Sequence, residues 1–274
     1  MEPPTSICFG EALIDHHAQG SVVAGAPLHV AARLASSGWN SLLLTRVASD
    51  APGARIVETA RRLGIDDRLI QTDPDLPSGS AVVRDGKDGA DRFELAHPVA
   101  WDRIEVPDQL PAHDVLYFGS LVGRDEPSRR ALFATGEMST APIKVCDVNL
   151  RAPWVDHSTI DWALAHANVV KCSTEELAML SPKGVAGLFD AHDQLELVAV
   201  TAGSDGAALH RRDVVYQQSA PSVDVVDTVG AGDAFTAALI EGLRSGMDDP
   251  GVLRHAIEFA GRAAGTRGGL PAPG

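Results

Sequence analysis

The sequence predicts an α/β fold: a mostly parallel central sheet flanked by helices on both faces, with a small β lid beside it. Two observations carry this expectation. Short apolar runs alternate with helical patterns along most of the chain, which is the rhythm of βαβ units. That rhythm breaks in two places, and strands outside a βαβ pattern tend to form a sheet of their own.

Ser6–Ile14 reads as the first strand, and Pro27–Ser37 as a helix with Val30, Ala31 and Leu34 at helical spacing. Leu42–Ala48 reads as a buried strand, and Gly53–Leu63 as a helix stopped by Gly64. Further strands are expected at Val115–Gly119, Ile143–Asn149, Val169–Ser173 and Leu197–Ala202. Helices are expected near Glu126–Glu137, Ser158–Ala167, Thr174–Leu180, Ala234–Leu243 and Pro250–Arg267. The breaks fall at residues 15–24 and 79–97. In the second, Ser80–Arg84 and Arg92–Ala96 flank Asp85-Gly86-Lys87-Asp88-Gly89, a strong turn signal. Together the two segments are expected to make one flap inserted in a single domain of residues 1–274.

Composition narrows the function classes. Of 274 residues, 45% are hydrophobic and 22% charged, as in an ordinary globular protein. A formal net charge of -14 argues against a partner surface for nucleic acid or anionic membrane. It leaves room for an anionic ligand held by a few local donors. The opening Met-Glu-Pro-Pro-Thr lacks the basic and apolar regions of a secretory signal, and the apolar runs are too short to span a bilayer. Cys8, Cys146 and Cys172 each sit in an apolar run and read as buried free thiols. A cytoplasmic protein is expected. His16 and His17 would face opposite sides of a strand, so they do not read as a metal pair.

The chemistry concentrates in Asp227-Thr228-Val229-Gly230-Ala231-Gly232-Asp233-Ala234-Phe235. Two glycines spaced by one residue let successive N–H groups point into one concavity, and a helix follows at once. A helix N-terminus of that kind attracts anions. Asp233 could merely cap the helix; beside a phosphoryl group it could also take a proton from an attacking hydroxyl. Other phosphate motifs are missing: there is no Gly-x-x-x-x-Gly-Lys-Ser/Thr, and Phe235 stands where a dinucleotide fingerprint needs its third glycine.

This segment resembles the C-terminal signature of the PfkB, or ribokinase-like, family of carbohydrate kinases. Gly10-Glu11-Ala12-Leu13-Ile14-Asp15, Ala24-Gly25-Ala26-Pro27, Phe118-Gly119-Ser120-Leu121 and Glu126-Pro127-Ser128-Arg129 resemble the family's fructokinase branch. Asp147-Val148-Asn149-Leu150-Arg151, Lys171-Cys172-Ser173-Thr174-Glu175-Glu176 and Thr201-Ala202-Gly203-Ser204-Asp205-Gly206 are similar to three further family motifs, all in family order. The resemblance implies a ribokinase-like three-layer sandwich and transfer of the γ-phosphate of ATP, with Mg²⁺, to a sugar hydroxyl. It implies Asp233 as general base, with the N–H groups of Gly230, Ala231 and Gly232 holding charge on the phosphoryl group. It places Asp15, Gly25, His29 and Arg151 at the sugar, and Lys171 and Ser173 towards the nucleotide phosphates. Thr201, Gly203 and Gly206 would flank adenosine, and Glu176 would order Mg²⁺ through water. A monovalent cation such as K⁺ near Asp227 and a homodimer through the lid are further implications.

Departures cluster at the sugar end. Ala24 replaces the first glycine of the family's pair, His29 stands where a sugar-contacting Asn is usual, and Ala48-Ser49 and His97 also differ. The leading expectation is therefore a fructokinase-like enzyme. A kinase for another small polyol (2-keto-3-deoxygluconate, ribose or a nucleoside) and a non-catalytic sugar or nucleotide binder are the alternatives.

Overall fold

The computed structural model of the protein describes residues 2–18, 20–84, 92–266 and 269–271. In chain order the strands and helices begin β1 (Thr5–Phe9), β2 (Leu13–His17), β3 (Gly20–Ala24), α1 (Ala26–Ser36), β4 (Asn40–Ala48) and α2 (Ala51–Arg62). They continue β5 (Ile70–Asp73), β6 (Gly79–Arg84), β7 (Arg92–Leu95), β8 (Val115–Gly119), α3 (Glu126–Met138), β9 (Ile143–Asp147) and α4 (His157–His166). Then come β10 (Val169–Ser173), α5 (Thr174–Leu180), α6 (Gly184–Ala191), β11 (Leu197–Thr201), β12 (Ala207–His210), β13 (Val215–Gln218), α7 (Ala231–Arg244) and α8 (Asp249–Ala264).

Among the described residues the large sheet runs β13-β12-β11-β10-β9-β8-β1-β4-β5. Every pair from β11 to β5 is parallel, whereas β12 and β13 are added antiparallel at one edge. Its central strands are buried on both faces, which is why they read as unbroken apolar runs. In β1, Cys8 packs with α1, α7 and α8, while its neighbours Ile7 and Phe9 pack on the opposite side with α3, α4 and α6. This alternation sorts the chain into three layers with a core on each side of the sheet. Because β1 lies between β4 and β8, the chain order switches direction there. Open α/β sheets bind ligands beyond the strand ends at such a switch point.

The expected first strand, Ser6–Ile14, is two strands in two different sheets. Gly10 N–H donates the last bond to Leu44 O at 3.0 Å, and Gly10 then takes φ 144°. A Cβ there would come within 2.8 Å of Pro27 Cγ, so a side chain is excluded on both counts. The chain leaves the large sheet, crosses at Glu11-Ala12, and re-enters as β2 of the small sheet. That sheet has the order β3-β2-β6-β7, with β2 and β6 parallel. Both interruptions of the βαβ rhythm therefore meet in one small sheet. The turn expected at Asp85–Gly89 lies outside the described residues.

Strands β3, β5, β12 and β13 and helix α6 were not among the expectations. Three of these strands have only four residues, too few for a period to show, and β3 mixes exposed and buried positions.

One buried ion pair fastens the small sheet to the large one. Arg124, in the turn after β8, donates to both carboxylate oxygens of Asp102 at 2.7 and 2.8 Å and to Ala96 O, just beyond β7, at 2.7 Å. Both charged side chains are fully buried, and the guanidinium lies 3.8 Å from the Trp101 ring centroid. Removing one partner would leave an uncompensated buried charge. Arg124→Met is expected to lower stability by about 3–5 kcal/mol, read as a loss of urea-unfolding free energy.

Candidate active site

The site is built from the N-terminus of α7 upward. Asp227 Oδ1 accepts from Val229 N–H at 3.0 Å, which shapes the turn leading into the helix. Gly230 is the N-cap, in the left-handed region at φ 76°, and a Cβ on it would lie 2.5 Å from Gly269 Cα. Only glycine fits. Gly230, Gly232 and Asp233 then line a cleft of about 1030 Å³ at the carboxyl ends of β1, β9 and β10. N–H groups in the first turn of a helix have no intrahelical acceptor and give that end partial positive charge. Ala231 leaves the expected set: its N–H donates to Thr228 O at 3.2 Å inside the turn.

The acidic side chain beside this N-terminus is not alone. Asp233 Oδ2 lies 2.6 Å from His29 Nδ1, on the first turn of α1. Burial alone would raise the pKa of Asp233. The hydrogen bond from His29 and the charges of His29, Lys171 and Arg151 outweigh it and hold the carboxyl below its ordinary value. Asp233 is thus a carboxylate at neutral pH.

Beneath the helix, Lys171 Nζ donates to Asp147 Oδ1 at 3.0 Å, and Thr236 Oγ lies 3.0 Å from Asp147 Oδ2. A Cβ on Gly232 would stand 3.2 Å from Lys171 Nζ, so the ammonium sits directly against the first turn of α7. Burial works against that ammonium, but the charge and hydrogen bond of Asp147, with Glu176 and Asp233 beyond, hold its pKa above the ordinary lysine value. On the opposite wall Asp15 comes from β2, buried at 5% exposure. Burial pushes its carboxyl up, against the pull of His29, His17, His16 and Arg151. One cleft therefore holds two acidic side chains, a helix N-terminus and a buried ammonium.

A model of the "pfkB family carbohydrate kinase" matches residues 3–272. The chain belongs to this family. Among curated relatives, a fructokinase of Klebsiella pneumoniae is 33% identical over 80% of this chain and 76% of its own. The aminoimidazole riboside kinase of Salmonella typhimurium is 31% identical over 86% and 78%. An uncharacterized sugar kinase from Pyrococcus horikoshii, solved in complex with ATP, superposes with a TM-score of 0.88 at 25% identity, covering 97% of this chain and 93% of that one. A fructokinase from Vibrio cholerae in a fructose, ADP and calcium ion bound form gives 0.86 at 25% identity, covering 99% and 96%. The fold is ribokinase-like, and the chain is a sugar kinase of the fructokinase-like branch, a phosphotransferase with a hydroxyl acceptor. Among the described residues no helix is long and apolar enough to cross a membrane.

Within this sugar kinase the remaining motif residues divide. Arg151, Ser173, Glu176 and Asp227 also line the cleft. Glu176 is more occupied than its sequence position suggests: Oε2 accepts from Ser173 N–H at 2.8 Å and Oε1 from Leu150 N–H at 2.7 Å. Ser173 Oγ accepts in return from Glu176 N–H at 3.2 Å, completing a capping box on α5. The pair clamps the ends of β9 and β10 together. Each Glu176 oxygen keeps a lone pair, which fits Mg²⁺ met through water, because that ion retains much of its hydration. Asp227 Oδ1 accepts from Val229 N–H, and the Gly269 carbonyl facing Gly230 accepts from Arg33 at 2.9 Å, in the region where the resemblance implies K⁺.

Thr201, Gly203 and Gly206 are not on the cleft wall. Thr201 pairs in register with Ser173, one strand further out. A Cβ on Gly206 would strike Gln218 O at 2.1 Å, so strand packing explains that glycine. Gly25 has a similar explanation: at φ 127°, a Cβ would stand 2.4 Å from Glu11 O. The crossing of the chain between the two sheets requires this glycine.

Glu11, to which the motif resemblance assigns no role, is a strongly perturbed acid on the cleft wall. It is 3% exposed, and its Oε2 has no partner among the described residues. Burial first, then the charge of Asp233, pushes its pKa up to about 7. The signal was an acid inside an apolar run. The folded chain thus keeps a proton that the unfolded chain releases near its ordinary value of 4.5. Stability from this group is full below that value and is lost as pH rises to about 7. Glu11→Gln is expected to raise the melting temperature at pH 8 by several degrees, since ~1 kcal/mol moves Tm about 2–4 °C in a protein of this size. The difference from wild type should shrink towards zero at pH 5, as scanning calorimetry at both pH values would show.

Proposed function

We propose that this chain is an ATP- and Mg²⁺-dependent kinase that phosphorylates a primary hydroxyl of a small ketose, with fructose the first candidate. The observation that carries the reading is the ionised Asp233 carboxylate beside the N-terminus of α7 in a cleft that also holds Asp15. The fructokinase relatives point to the same substrate class.

In this reading Asp15 accepts hydrogen bonds from sugar hydroxyls and holds the sugar across the cleft. Asp233 takes the proton of the attacking hydroxyl as its oxygen bonds to the γ-phosphorus. The N–H groups at Gly230 and Gly232, with Lys171 behind them, face the charge of the transferred group before it arrives. Mg²⁺, ordered through water by Glu176, supplies neutralisation of phosphate charge when bound. The net charge of -14 is no obstacle, because these donors act at contact distance.

The small sheet stands over the sugar side through Asp15 and Leu95, and in this reading it closes as a lid that excludes water. Val22 and Val82 on it are exposed, which suits the homodimer expected through the lid. A second reading, a nucleoside-like substrate, is favoured by His29 at the sugar wall and by the aminoimidazole riboside kinase relative. A non-catalytic binder has no use for an ionised base at the helix N-terminus.

Asp233→Asn is expected to lower kcat with D-fructose and MgATP by about 10²–10⁴-fold, with the KM for MgATP little changed. Coupled detection of ADP measures both. A variant that turns over at the wild-type rate would show that Asp233 is not the base.

A further inference from the structure

His29 makes a contact that the expected Asn would make differently or not at all. Its backbone N–H donates to Gly25 O at 2.9 Å, so the first turn of α1 fixes where its ring begins. The ring is almost fully buried, and Nδ1 lies 2.6 Å from Asp233 Oδ2. The backbone of Gly269 packs on the ring edge so closely that a Cβ there would come within 2.4 Å of Cε1. The imidazole is thus held from two sides, by α1 and by the C-terminal segment. It lines the cleft with Asp15, and Nε2 has no hydrogen-bond partner among the described residues.

Chemistry settles the proton on one nitrogen. An ionised carboxylate only accepts, so Nδ1 carries the hydrogen and, in the neutral ring, Nε2 is a bare acceptor. Asp233 Oδ2 is used by this bond, which leaves Oδ1 for the substrate. The other charged groups facing the pair are Glu11, Asp15, Arg33, Asp147, Lys171 and Arg151.

We propose that His29 couples recognition of the sugar to alignment of the base. Its Nδ1–H fixes the Asp233 carboxylate, and its Nε2 accepts a hydrogen bond from a second hydroxyl of the same polyol. This rests on the kinase reading above. In the transfer step a lone pair of the attacking hydroxyl oxygen forms the bond to the γ-phosphorus. The bond from that phosphorus to the bridging oxygen breaks, its electron pair staying with ADP. The hydroxyl proton passes to Asp233 Oδ1, and His29 keeps its own proton throughout. His29 is a positioning and specificity-determining residue. A substrate lacking the second hydroxyl loses binding and base alignment together.

The test uses the full chain, with His29→Gln and His29→Asn assayed on D-fructose and MgATP at neutral pH. Expected are a KM for D-fructose raised about tenfold, the worth of one hydrogen bond, and a lower kcat. The KM for MgATP should stay within about twofold of wild type. Wild-type KM for D-fructose together with wild-type kcat in both variants overturns the proposal. Imidazole ¹H–¹⁵N spectra, with the His29 signals assigned by their loss in His29→Gln, test the pair without turnover. The Nδ1–H tautomer is expected, with the Nδ1–H signal shifted in Asp233→Asn. The opposite tautomer, or an Nδ1–H signal unchanged in Asp233→Asn, also overturns the proposal. If wild type phosphorylates none of D-fructose, D-ribose and 2-keto-3-deoxygluconate, the kinase reading fails instead, and the spectra still decide the His29–Asp233 bond.

Discussion

The salt bridge between Lys171 and Asp147 seats the N-terminal turns of α7 on the large sheet. Two charges removed from water cost several kcal/mol each in desolvation unless geometry and further hydrogen bonds repay it. Here the partners come from adjacent parallel strands, β10 and β9, in direct register at Lys171 and Asp147. Thr236 adds a contact from α7, so the pair also locks the helix above it. The ammonium sits against a helix end that already carries partial positive charge.

A second constraint governs the opposite wall. The chain must pass from the large sheet to the small one and back within a few residues. Gly10 and Gly25 permit this because their backbones occupy positive φ and touch neighbouring atoms where a Cβ would sit. The crossing carries Glu11 into the interior beside Asp233 and sets Asp15 on the small sheet. Asp15 and the Lys171–Asp147 pair thus belong to different sheets, although Asp15 and Lys171 line one cleft. The Arg124–Asp102 pair, tied to Ala96 at the end of β7, limits how far one can drift from the other.

Much of this was legible in the residues. β8 and β10 fall where the apolar runs placed them, and α5 where its pattern did, because a strand buried on both faces and a helix begun by a capping box write their bounds locally. The Gly-x-Gly turn before Asp233 also marked a helix start, where Gly230 caps α7 in the left-handed region. The four-residue strands were not legible, as their stability comes from edges supplied elsewhere. Nor was the occupation of Glu176, whose oxygens are claimed by two backbone N–H groups, one of them 26 residues away in the chain.

By itself the sequence determined the layered α/β architecture, the helix N-terminus at Gly230–Asp233 and the family. These are properties of local period, of turn chemistry and of the motif residues. Only the tertiary structure decided which residues meet. His29 and Asp233 are 204 positions apart yet share a 2.6 Å hydrogen bond, and Glu11 becomes a proton-holding acid only when buried beside Asp233. Contact and desolvation are properties of the packed chain, and they turn a family motif into the particular chemistry of this cleft.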